Sequence, residues 1–105
     1  MQIDYHLFFD KSGKPISRDE WADLTTTEYK TIKREEVGNL SVSTIWLGMN
    51  FALFGPPLIF ETMVFADGHE IVYQDRYTTM EDALTGHKEA LKWAKLASKH
   101  YESKT

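Results

Sequence analysis

The chain contains no cysteine, so disulfide bonds, zinc–thiolate sites and thiol catalysis are all excluded. It also lacks an excess of basic residues, because 12 Lys and Arg stand against 16 Asp and Glu, and the net charge is −4. A protein that binds nucleic acid through its phosphates normally carries a basic patch, so this balance predicts no nucleic-acid partner. The longest apolar run, residues 51–60, is too short to span a bilayer, which predicts no membrane segment.

The composition is that of a small globular protein. Hydrophobic residues make up 42% of the 105 positions and include three Trp, five Tyr and six Phe, which is enough for one core. We therefore expect a single domain over residues 1–105. The N-terminal residues do not combine a basic segment with an apolar one, so we expect no secretory signal and a cytoplasmic location.

Two helices are predicted from their start signals. Ser17 with Glu20 fits a capping box for a short helix that ends near the three threonines at 25–27. A second capping box, Thr78 with Glu81, begins a long C-terminal helix that runs from Thr79 to about His100. Helical spacing predicts that one stripe of this helix packs on a sheet; its members are Met80, Leu84, His87, Leu91 and Ala94.

Alternating apolar residues and turn signals predict the strands. The predicted strands are residues 3–9, 28–37, 40–49, 58–65 and 70–77, and residues 28–37 also fit a helix. In the third of these strands, Leu40, Val42, Thr44 and Trp46 share one face. The fold class is therefore α+β: an antiparallel sheet of four to five strands packed against the long C-terminal helix, with a short N-terminal helix.

Glu61 is the most unusual residue of the sequence, because it is a carboxylate in the middle of a very apolar strand. A two-residue hairpin turn at Asp67-Gly68 places Glu61 opposite Gln74 and diagonal to Arg76. One interpretation is a structural ion pair between Glu61 and Arg76. The other is that Glu61 holds Arg76 so that its guanidinium binds a phosphate or carboxylate.

The loop at residues 50–57 is unusually apolar and lies beside this pair in sequence. Asn50, Phe51 and Phe54, together with Trp46 before the loop, are the residue types that stack on and hydrogen-bond to a planar base. The sequence has no Gly-rich phosphate loop of known spacing. These four residues, with Arg76, Glu61 and His87, form the predicted ligand-binding set.

His87 lies on the inner stripe of the long helix, where a histidine is more often a hydrogen-bonded core residue than a catalyst. We expect it to contact Asp75, Tyr73 or Tyr77. The four histidines have none of the spacings typical of metal ligands, so no metal and no cofactor are predicted. Trp93 and Leu96 are predicted to lie on the outer side of the long helix and to form an interface between copies in a homo-oligomer.

Residues 37–90 contain a series of short motifs in a fixed order: Val37-Gly38, Val42-Ser43-Thr44, Leu47-Gly48, Gly55-Pro56-Pro57, Phe60-Glu61-Thr62-Met63-Val64-Phe65, Arg76-Tyr77-Thr78, Ala83 and Gly86-His87. In these motifs the chain resembles a family of small, mostly uncharacterised proteins of tailed bacteriophages and prophages. The sequence departs from the family pattern at residues 50–54 and 66–69. The resemblance implies a phage protein that acts in the host cytoplasm, and such proteins often inhibit antiviral defence.

Three functions follow as alternatives. The first is a non-enzymatic phage protein that counters host defence by sequestering a nucleotide-like signalling molecule. The second is a protein–protein inhibitor of a host defence complex, similar in action to an anti-CRISPR protein, which uses Trp93 and Leu96 or the loop from Phe51 to Phe54. The third is a small hydrolase with His87 and either Glu61 or Asp75 as base and acid.

Overall fold

A computed structural model of the chain describes residues 6–102 and has an α+β fold, as the sequence predicts. The helices are α1 (Arg18–Thr25) and α2 (Met80–Glu102), a 3-10 turn spans Glu28–Lys30, and the strands are β1 (Thr31–Val37), β2 (Leu40–Trp46), β3 (Phe60–Ala66) and β4 (Glu70–Tyr77). The strands form one antiparallel sheet in the order β1-β2-β3-β4. Helix α2 packs across all four strands on one face of this sheet.

Local sequence signals set most of these boundaries. Ser17 accepts a hydrogen bond from the Glu20 backbone N–H and caps α1, which ends at Thr25 as predicted. Residues 28–37, for which strand and helix were both considered, contain a 3-10 turn and then the edge strand β1. Helix α2 begins one residue later than predicted, because Thr79 rather than Thr78 accepts the bond from the Asp82 backbone N–H.

The predicted first strand is not formed by the residues that the structure describes. Phe8 and Phe9 make only isolated bridges, to Met49 and Pro15 respectively. The remainder of that prediction, residues 3–5, lies outside the described residues.

The β3–β4 hairpin differs from its predicted register by two residues. Asp67 and Gly68 both have positive φ, as expected, but Ala66 pairs with Glu70, so the loop has three residues. A bulge next to Phe65 adds one more residue on β4. Glu61 therefore lies directly opposite Arg76, and Gln74 is the diagonal neighbour.

Small side chains on α2 bring the helix close to the sheet. Its buried positions are Ala83, Gly86, His87, Ala90, Ala94 and Ser98. The predicted stripe is therefore partly wrong, since Leu84 is exposed and Leu91 lies at the flank. The reason is steric: large sheet residues such as Trp46 and Phe60 fill the space below the helix and leave room only for small helical residues.

A polar layer divides the core into two apolar clusters. One cluster contains Phe9, Trp46, Ile59, Phe60, Tyr77 and Ala83, and the other contains Leu40, Val42, Val64, Ala66, Ala90 and Ala94. The polar layer lies between the two clusters and consists of Thr44 on β2, Thr62 on β3 and His87 on α2. All three side chains are essentially inaccessible to solvent.

Candidate functional site

The predicted site residues lie on two opposite faces of the sheet. Glu61 and Arg76 point away from α2, to the face that we call the open face. Trp46 and His87 lie on the other face, against the apolar core and α2. The predicted ligand-binding set therefore does not form one site, because successive side chains of a strand point to opposite faces.

On the open face, Glu61, Arg76 and Gln74 form a hydrogen-bonded group. Glu61 Oε2 accepts from Arg76 Nε at 2.8 Å and from Gln74 Nε2 at 2.7 Å. The Glu61 side chain is only 4% exposed, whereas that of Arg76 is 37% exposed. The expected ion pair is thus present, and its buried carboxylate fixes the position of a half-exposed guanidinium.

Phe51 holds the same guanidinium from the side. The Arg76 Cζ atom lies 4.7 Å from the centroid of the Phe51 ring, which is a cation–π arrangement. Within residues 6–102, no group accepts a hydrogen bond from the two terminal nitrogens of Arg76. Those N–H groups form the fork that binds carboxylate or phosphate oxygens.

The loop that carries Phe51 is fixed at its base and apolar at its tip. Asn50 Oδ1 accepts from the backbone N–H groups of Ala52 and Leu58, at 2.8 and 3.2 Å. Asn50 Oδ1 therefore organises the loop, whereas Asn50 was predicted to hydrogen-bond to a ligand. At the tip, Leu53 and Phe54 are 91% and 92% exposed. A loop that is anchored at its base and presents two apolar side chains to solvent is a candidate contact surface.

Trp46 cannot stack on a ligand, and this prediction is wrong. Its side chain is buried, its Nε1 donates to the Phe9 carbonyl at 2.8 Å, and Tyr29 packs edge-on against its ring. Gly48 is required beside it, because a Cβ there would lie within 2.5 Å of both Trp46 and Trp21.

His87 is a buried core residue, but its partners differ from the predicted ones. Its Nδ1 lies 2.6 Å from Thr44 Oγ1, and its Nε2 lies 3.0 Å from Glu35 Oε1. Asp75, Tyr73 and Tyr77, the expected partners, make no hydrogen bond to it. The partners were missed because Glu35 comes from β1, whose position under α2 no local pattern reveals.

Glu35 connects this polar layer to solvent at the edge of the sheet. Burial raises the pKa of Glu35, but the hydrogen bond from His87 and the nearby Lys33 ammonium outweigh it, so the pKa lies below its usual value. The series Glu35–His87–Thr44 has the residue types of an acid–base relay. The Thr44 hydroxyl is fully buried, however, so a substrate would reach it only if α2 moved.

Tyr77 and Gly86 form a contact that the sequence analysis did not identify. A Cβ on Gly86 would lie 2.2 Å from the Tyr77 ring, so only glycine allows the ring to cross the helix there. Burial raises the pKa of Tyr77, an effect partly offset by the neighbouring Thr62 hydroxyl. Its Oη makes no hydrogen bond of good geometry to any described residue. A glycine inside a helical pattern is the signal that could have indicated this contact.

The two predicted interface residues of α2, Trp93 and Leu96, differ in burial. Trp93 packs on Tyr73 of β4, with 5.2 Å between the ring centroids, and is half-buried. Leu96 alone of the two is largely exposed. Trp93 therefore has packing partners within one chain, and the interface through Trp93 and Leu96 stays a prediction.

A cavity of about 360 Å³ lies at the N-terminal end of α2, and none of the predicted site residues lines it. It is lined by Lys11, Ser12, Gly13, Thr78, Thr79, Met80 and Glu81. The Lys11 ammonium lies 4.2 Å from the Tyr29 ring centroid, so this cation already has a partner. No group of three potential metal ligands occurs among residues 6–102.

Comparisons with family models, curated proteins and solved structures found no match to this chain. Neither helix within the described residues has the length and apolar character needed to cross a membrane.

Proposed function

We propose that the chain is a non-enzymatic binding protein that captures an anionic, planar molecule of the nucleotide type at Arg76. One observation carries this proposal: Arg76 is held on Nε by a buried carboxylate and on one face by Phe51, while its two terminal nitrogens have no described acceptor. A cation fixed in this way loses little side-chain entropy when it binds an oxyanion.

The same group provides a surface for a planar ring. Phe51 is half-exposed, so its outer face can stack on a base while Arg76 contacts a phosphate. Trp46 and Asn50 are occupied elsewhere, so they take no part in this proposal. The ligand would be recognised mainly by charge and stacking, and less by hydrogen bonds to the edges of a base.

The separation of the acid–base residues supports a role without catalysis. His87 and Glu61 lie on opposite faces of the sheet, so they cannot act on one substrate atom. Asp75, the other acid considered, accepts a hydrogen bond from the Arg76 backbone N–H. Asp75 lies on the same face as His87 but makes no hydrogen bond to it, so the described residues contain no assembled pair for the hydrolase alternative.

A thermal-shift panel of cyclic dinucleotides and ADP-ribose derivatives tests the proposal. A ligand at a hundredfold excess over its Kd stabilises the folded protein by about 2.7 kcal/mol, which for a domain of this size raises the Tm by roughly 10 °C or more. We expect Arg76→Gln to lose this shift, measured against its own ligand-free Tm. Arg34→Gln, on the same face, should retain it. A folded wild-type protein that no compound stabilises would contradict the proposal.

A second function, inhibition by binding a protein, is favoured by the exposed loop tip. Leu53 and Phe54 are the two most exposed large apolar residues among those described. Apolar side chains of this kind anchor protein interfaces when a partner supplies a pocket. Binding of purified host defence proteins should then be lost in Leu53→Ser/Phe54→Ser and kept in Leu96→Ser. Under either function, the counter-defence role that the phage resemblance implies stays a prediction.

A further inference from the structure

The open face of the sheet carries apolar side chains that no described helix covers. Helix α2 occupies the opposite face, and α1 lies against the 3-10 turn. On the open face, register places the side chains of Ile45, Met63, Phe65 and Ile71. Phe51 of the adjoining loop contacts Arg76 on this face, and Leu53 and Phe54 follow it. We infer that this face binds a second copy of the chain, and that the second copy closes the Arg76 site.

The charges on the open face allow a second copy to be the occupant. Two whole chains would repel each other, because each has a net charge of −4. The open face is different: it carries two Arg and two Glu, and both Glu are hydrogen-bonded to their Arg, in the pairs Arg34–Glu36 and Arg76–Glu61. Since the face has no net charge, two copies can meet there without like-charge repulsion.

Both edges of the sheet are protected against pairing, so assembly through the edges is disfavoured. Strand β1 has four successive charged residues, 33–36, and a bulge next to Thr31. On β4, a bulge lies near Ile71, and the Asp75 carboxylate accepts a hydrogen bond from the Arg76 backbone N–H. The face of the sheet is the surface that remains.

The ligand site also lacks one wall. Small-molecule sites usually bury most of the ligand surface, and Arg76 with Phe51 can cover only one side of a planar molecule. Two sheets that pack face to face lie about 10 Å apart, which places a second copy within reach of a ligand at Arg76. This part of the inference rests on the proposed function, whereas the dimer itself does not.

The size of the face indicates a dimer of moderate affinity. Four strands spaced by about 4.8 Å and seven residues long at about 3.4 Å each cover roughly 450 Å² in projection. Two such faces bury about 900 Å², and the loop tips must add the rest of a standard interface of roughly 1,200–2,000 Å². We therefore expect a dimer whose fraction depends on concentration in the micromolar range.

Sedimentation velocity of the full chain, from low micromolar to high micromolar concentration, tests the inference without a ligand. We expect the mass to rise from 12.2 kDa towards twice that value. Phe54→Asp and Ile71→Lys alter exposed positions, so each variant should fold, and each should remain monomeric. Leu96→Asp, an exposed position on α2, is the matched control and should dimerise as the wild type does.

Two results would overturn the inference. One is a monomeric mass at every concentration, which would leave the open face to a different protein. The other is a dimer that Leu96→Asp abolishes while Phe54→Asp and Ile71→Lys preserve it. A dimer that no nucleotide of the panel stabilises would support this inference and contradict the proposed function. A protein that stays monomeric and that a nucleotide stabilises would contradict this inference and support the proposed function.

Discussion

Thr44 Oγ1 lies 2.6 Å from His87 Nδ1, and this contact joins β2 to α2 at the centre of the core. The other ring nitrogen, Nε2, lies 3.0 Å from a Glu35 carboxylate that can only accept, so we assign the proton to Nε2. Nδ1 then accepts from Thr44, whose oxygen accepts in turn from Thr62 at 2.5 Å. With this single tautomer of His87, every hydrogen bond of the polar layer between the two apolar clusters has a donor and an acceptor.

Replacing His87 by Ala should be strongly destabilising. The change leaves the buried Thr44 hydroxyl without its acceptor and opens a cavity between helix and sheet, which together cost about 3 kcal/mol. Urea unfolding measures the loss. His69→Ala is the control, because His69 is exposed in the hairpin turn, and it should change stability by less than about 0.5 kcal/mol. A loss below about 1 kcal/mol in His87→Ala would show that the layer is dispensable.

Local patterns predicted the architecture but not the alignment of its parts. Ser17 and the Asp67-Gly68 turn are short-range signals, and both lie where predicted. A three-residue loop and a bulge set the β3–β4 register, and Val72 and Tyr73 at the bulge both pack against the cluster beneath α2, a contact that the turn dipeptide alone could not specify.

The predicted site was limited by long-range contacts. Alternation already placed Trp46 on the same strand face as Leu40 and Val42, and the structure shows that this face is the core. Residue type alone suggested stacking, which burial excludes. Glu35, by contrast, carried no signal, because its contact with His87 spans 52 positions. The Glu61–Arg76 pair was accessible to prediction because a hairpin brings neighbouring strands together.

Gly86→Ala should destabilise the protein, although Gly to Ala in a helix interior normally stabilises by about 1 kcal/mol. The added methyl group would lie 2.2 Å from the Tyr77 ring, so the ring or the helix must move, at a cost of about 1–3 kcal/mol. Thr85→Ala, at the exposed neighbouring position, should be neutral or slightly stabilising. A double-mutant cycle with Tyr77→Ala should show non-additivity, since removing the ring removes the clash. Additive effects would contradict the contact.

Stability should fall in acid, below about pH 4.5. Among the described residues, three carboxyl groups have lowered pKa values. The pKa of Asp10 is lowered by its bond from Ser12, and that of Glu36 by bonds from Ser41 and Arg34. Burial raises the pKa of Glu35, but His87 and Lys33 outweigh it. A lowered folded-state pKa means that the unfolded chain binds protons first, so this stabilisation is present above the unfolded pKa and is lost as pH falls through the folded one. Urea unfolding from neutral pH to about pH 3 measures the slope, which Glu36→Gln should reduce. Glu81→Gln, outside these contacts, should leave it unchanged; an equal reduction there would contradict the assignment.

The Glu61–Arg76 pair should contribute more to stability than the Arg34–Glu36 pair on the same face. Glu61 is almost fully buried, so Arg76→Ala leaves a carboxylate with only Gln74 as its partner. Because Arg76 itself is partly exposed, we expect a coupling energy of about 1–2 kcal/mol in a double-mutant cycle with Glu61→Gln. Both members of the Arg34–Glu36 pair are exposed, and their coupling should stay below about 0.5 kcal/mol. Equal coupling energies would mean that burial of Glu61 does not strengthen the pair, and Arg76 would then lack the rigid support on which its proposed role in binding depends.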